Sequence, residues 1–127
     1  MADDLERLAG KWTTGRKNSE GEIVRTSIEI SKDKFKYWRM DAGGSLRLYA
    51  EGTVKIEKHG AFQAVRFGNI KGGASETELS DVDDDRLNIY QLGYDTLTLA
   101  SNFDRERQEP PRVDVYKKAP KEQPKKK

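Results

Sequence analysis

The chain has 127 residues, of which 34% are hydrophobic and 36% charged, with a mean hydropathy of −0.94. That length fits one domain with a modest core, and the polarity argues against a wide apolar cavity. Cysteine is absent, which excludes disulfide frameworks, thiolate metal sites and cysteine nucleophiles.

The net charge of +2 is unevenly spread. Residues 118–127 hold five lysines and one glutamate, so this segment carries +4 and the other 117 residues about −2. The body is therefore not a basic nucleic-acid-binding surface, and no specific nucleic-acid partner is expected. The segment 118–127 reads as a disordered basic tail on a single domain spanning 1–117. No run approaches the ~18 apolar residues of a membrane span. The acidic start, Met1-Ala2-Asp3-Asp4, is unlike a signal peptide. The chain as given reads as soluble and cytoplasmic, unless an export signal has been removed.

In chain order, Asp3 or Asp4 caps one helical turn carrying Leu5 and Leu8. Strands then follow at 11–16, 22–31, 34–40, 46–56, 61–70, 86–92, 96–101 and 112–117. The second alternates cleanly, with Val24, Thr26, Ile28 and Ile30 on one face. Eight strands without intervening helices predict an all-β sandwich or barrel. Taken as strictly up and down, the strands leave three short links at one end, 31–33, 57–60 and 93–95. The other end has links 15–21, 41–45, 71–85 and 102–111, two of them long. One tight and one loose end favour an eight-stranded up-and-down antiparallel barrel. Its interior is either just filled or holds one small ligand.

Two stretches carry a resemblance. Leu8-Ala-Gly10-Lys-Trp12 is similar to the Gly-x-Trp entry of lipocalin-like barrels. There a glycine admits the chain closely and a tryptophan plugs the closed end. Asn88-Ile-Tyr-Gln-Leu-Gly-Tyr-Asp95-Thr-Leu97-Thr-Leu99 resembles a hairpin of small uncharacterised bacterial lipocalin-like domains. The resemblance implies that fold over residues 5–117 and leaves activity open. It also implies a cation over Trp12, for which Lys117 or Lys118 is in reach. Fatty-acid-binding proteins fit less well, since 15–21 cannot hold two lid helices. Their carboxylate-binding Arg-x-Tyr has only a loose echo in Arg112 and Tyr116. Avidins need more tryptophans than Trp12 and Trp38, and haem-binding relatives need a better-placed histidine than His59.

If Phe35, Phe62, Leu97 and Val113 face inward, period 2 brings Tyr37, Arg39, Leu48, Arg66, Leu87, Ile89, Leu99 and Val115 inward too. A buried arginine needs a carboxylate, carbonyls or an anionic ligand. The expectation is a half-filled cup whose cationic mouth, with Arg39 and Arg66, admits a small anionic or amphipathic molecule. A bulge at Gly52 or Gly68 would instead turn the arginines outward. The alternative is a filled barrel that meets a protein partner through its long loops or through Trp38 and Met40. The run 81–85 lacks the glycine and final carboxylate of a calcium loop, and Gly72-Gly73 marks a candidate lid hinge. No nucleophile–base pair, metal-ligand spacing or phosphate loop is present. The reading is non-catalytic, with no cofactor.

Overall fold

The computed structural model describes residues 4–17, 19–103 and 111–118, with the side chains of Asp4 and Leu5 left aside. Asp3 and nearly all of the basic tail lie outside that range. A short helix, α1 (Asp4–Leu8), leads into β1 (Gly10–Lys17), β2 (Ile23–Ser31), β3 (Lys34–Met40), β4 (Leu46–His59) and β5 (Phe62–Gly73). After β6 (Ser80–Asp81) come β7 (Arg86–Gly93), β8 (Thr96–Ser101) and β9 (Arg112–Lys118). Sequential neighbours pair antiparallel, β5 pairs with β7, and β9 returns to β1. Eight strands thus close an up-and-down barrel. The two-residue β6 is an addition along the edge of β5 that no sequence signal announced.

Three two-residue turns lie at one end. Ser31 faces Lys34, His59 faces Phe62 and Gly93 faces Thr96 across them. Lys32, Gly60 and Asp95 take up positive φ there, as tight reversals between twisted strands require. β4 runs further toward this end than the apolar pattern suggested, because polar residues 57–59 still pair, and β5 runs further at the other end, to Gly73.

The closed end is built on Trp12, which is 2% exposed. Its indole N–H donates to the Leu8 carbonyl oxygen at 2.8 Å. That bond satisfies the one polar atom of a buried ring and ties α1 beneath the barrel. Lys118 Nζ lies 5.2 Å from the ring centroid, within cation–π range. Gly10 makes this approach possible. Its φ is +127°, and a Cβ there would meet Lys118 Cε at 2.9 Å. Above Trp12 the interior holds Ile28, Ile30, Val54, Val65, Leu97 and Leu99. Phe35 and Phe67 meet edge to face at 4.8 Å among them.

One irregularity sets the facing of β5. The β4–β5 register shifts between Glu51, opposite Lys71, and Thr53, opposite Gly68. A Cβ on Gly52 would strike the Gly68 carbonyl oxygen and come within 2.9 Å of Phe35 Cε1, so only glycine fits. The extra residue on β5 is accommodated by Asn69, at φ 48°. It returns Ile70 to the interior after Val65 and Phe67. No helix among the described residues is long and apolar enough to cross a membrane.

Replacing Trp12 with alanine removes the floor of the barrel and leaves the Leu8 carbonyl without its donor. The expected cost is about 3–5 kcal/mol. It should be read as a lower midpoint of urea unfolding at an unchanged slope. A midpoint equal to that of the native chain would show that the floor is not what holds β1 to β9.

Candidate functional site

Alternation about the core residues decides which side chains line the barrel. On β3, Tyr37 and Arg39 share the face of buried Phe35. Leu48 stands opposite Arg39 at the rim, 36% exposed. Leu99 is core. These four sequence-derived candidates point inward.

Arg66, Leu87 and Ile89 do not. On β5 the buried inward residues are Val65 and Phe67, so Arg66 between them faces out. There it donates to both carboxylate oxygens of Glu57, at 2.6 and 3.1 Å. On β7, Asn88 and Tyr90 are the buried pair, which turns Leu87 and Ile89 outward. Phe62, Val113 and Val115 also face solvent, at 59%, 60% and 50% exposure. On β5 and β7 both faces carry apolar residues, and period 2 alone cannot choose between them.

β9 is the most unusual strand. Its two valines face out, and its polar face, Arg112, Asp114 and Tyr116, lines the barrel. Tyr116 stands opposite Leu97, Asp114 opposite Leu99 and Arg112 opposite Ser101. Asp114 holds two guanidinium groups in ion pairs. Arg16 Nη2, from the mouth end of β1, is 2.9 Å away, and so is Arg112 Nε. The Asp114 side chain is only 12% exposed, whereas Arg16 is 50% exposed at the rim. Arg39 donates from Nη2 to the Tyr37 hydroxyl at 2.9 Å, with its guanidinium 5.9 Å from the same ring centroid. Among the described residues no carboxylate lies within ion-pair distance of Arg39.

These groups line the same face of the barrel wall. Burial pushes the Tyr116 phenol above its usual range, Tyr37 and Asp114 add to that, and Arg112 and Arg39 oppose it. Among the described residues, three guanidinium groups, of Arg16, Arg39 and Arg112, stand with the one carboxylate of Asp114 in a partly desolvated setting. The sequence reading missed Arg16, Arg112 and Asp114 as lining residues. The available signal was the alternation of Arg112, Asp114 and Tyr116, discounted because Val113 and Val115 are the more hydrophobic phase.

Outside the barrel, Trp38 is held by its own chain. Its indole donates to Glu76 Oε2 at 3.2 Å, and Lys11 Nζ lies 5.1 Å from its ring. The ring meets Tyr49 edge to face. Tyr49 is buried, and its hydroxyl donates to Glu51 at 2.8 Å. Gly72 and Gly73, read as a hinge, are the paired end of β5 opposite Ala50 and Tyr49. Lys117 is exposed on β9 opposite Thr13. In the acidic run, Asp84 pairs with Arg86 at 3.6 Å. A groove of about 330 Å³ opens at the Gly52 bulge, between Lys34, Lys36 and Lys71. Its lysines are solvated, so it lacks the desolvated charge found in the mouth.

Comparison with protein-family models, with curated proteins and with solved structures finds no match.

The outer Glu57 cluster sets an acid dependence. Hydrogen bonds from Arg66, and then from His59, hold the Glu57 carboxyl at about 2, below its ordinary 4.5. A depressed folded-state value contributes stability above the unfolded value, lost as pH falls toward 2. Glu57→Gln should therefore flatten the melting temperature between pH 5 and pH 2 relative to the native chain. Parallel curves would show that the cluster adds nothing.

Proposed function

We propose that this barrel is a non-catalytic binding module that seats a small anionic molecule in its mouth. Arg39 and Arg112 supply charge, and the hydroxyls of Tyr37 and Tyr116 supply hydrogen bonds. The observation that carries this reading is the charge imbalance inside the barrel. A guanidinium with no carboxylate partner among the described residues is costly in a half-buried site unless an anion compensates it. Charge-assisted bonds of this kind are short and strong enough to orient a ligand. We also propose membership of the small bacterial lipocalin-like domains. The closed barrel is compatible with that fold, and Gly10, Trp12 and Lys118 stand as its entry signature implies.

A second reading has one observation in its favour. Phe62, Val113 and Val115 are large apolar side chains exposed on the outer face. A protein partner would cover them, with the barrel as scaffold. Trp38, first considered for that role, is already engaged by Glu76 and Tyr49.

Native mass spectrometry of protein purified from its own source, repeated after denaturing extraction, tests the binding reading. A bound mass should appear in the first spectrum and vanish in the second. Arg39→Ala and Arg112→Ala should lower its retention about ten-fold or more, whereas Arg66→Ala, outside the barrel, should leave it unchanged. Equal loss in all three variants would discard the mouth as the binding site.

A further inference from the structure

The barrel interior is divided into two halves of different chemistry, and the division limits what the mouth accepts. Among the described residues, apolar side chains pack around Trp12 toward the closed end. Leu97 and Val65 are each 1% exposed, and the Phe35 and Phe67 rings meet edge to face at 4.8 Å. An alkyl chain could enter only by displacing them, and close-packed interiors resist added volume.

Toward the loose end the wall carries polar groups on both sides, and Asn88, paired with Val65, stands where the two kinds of lining meet. Thr26 on β2 faces inward beside Arg39. On the far wall, Ser101 stands beside Arg112, and Asn88 is one register step beyond the Ile89–Ala100 pair. Thr26, Asn88 and Tyr116 are 8%, 6% and 6% exposed. None of their side-chain polar atoms has a hydrogen-bond partner among the described residues. No sealed side-chain nitrogen or oxygen of the described residues lacks one either. The three groups therefore border space that a water-sized molecule reaches. Buried polar groups so placed are suited to hydrogen-bonding a ligand.

We propose that the ligand is a compact, hydroxyl-bearing organic anion with one or two negative charges, and not a long-chain fatty acid. The charge follows from three guanidinium groups set against Asp114. The hydroxyls follow from the hydroxyl and amide groups that line the wall between the arginines. The small size follows from the filled lower half. This inference rests on the anion-binding reading above.

The test is titration of the ¹⁵N-labelled full chain with malate, succinate and dodecanoate, each alone and at low ionic strength. Malate should shift the mouth amides of β3, β8 and β9 saturably. Succinate, which lacks the hydroxyl, should bind several-fold more weakly. Arg112→Ala should raise the malate dissociation constant about ten-fold or more. Arg112→Lys, which keeps the charge, should recover part of that loss, and the spectra report whether each variant is folded. Equal affinity for malate and succinate would overturn the hydroxyl requirement. Saturable binding of dodecanoate with shifts reaching Phe35 and Leu97 would overturn the compact ligand and leave the anion site standing. No saturable shift with any of the three would bring down the anion-binding reading and this inference together.

Discussion

Trp12 sits where the first strand must meet the last, and among the described residues β1 and β9 share only two residue pairs there. So short a ladder is a weak closure for an eight-stranded sheet. The ring supplies what the ladder lacks. It fills the floor, bonds the helical turn beneath it and lies against the lysine that ends β9. Every residue in the mouth is held in place by strands whose closure is secured at the opposite end. The site and the plug are thus linked through the sheet, although no side chain of one touches the other.

The division of the interior follows from the same arrangement. Apolar side chains gather near the plug, where turns are tight and water is excluded. Toward the loose end the strands admit solvent, and charge becomes tolerable. Asp114 illustrates the balance. A lone carboxylate facing inward would be costly, but two guanidinium groups from β1 and β9 compensate it. Arg39 has no such compensation among the described residues. That asymmetry between two arginine environments is what the anion-binding proposal rests on.

How much of this could be read from residues alone varies from strand to strand. β2 was legible because its two faces differ sharply, with Ile28 and Ile30 against Arg25 and Glu29. The entry at Gly10 and Trp12 was legible because few other uses suit a glycine two residues before a buried ring. Tyr37 and Arg39 followed once Phe35 was placed. β5 was not legible, because Phe62 and Ala64 compete with Val65 and Phe67. The bulge at Asn69 then changes phase within the strand. β9 misled for a different reason. Its valines obey β propensity on the outside, while Arg112, Asp114 and Tyr116 occupy the inside. A hydrophobic criterion selects the wrong face wherever polar residues replace the core.

The short β1–β9 pairing also determines where this barrel yields. From Thr14 to Lys17 the backbone of β1 is paired with β2 but not with β9. The Arg16–Asp114 ion pair spans that unladdered stretch, near the rim and within reach of salt. Fluctuations that part the wall begin at the rim of this seam and stop at Trp12. Amide hydrogens along the seam therefore exchange through small openings, while those of β2 and β3 wait for the whole barrel to unfold.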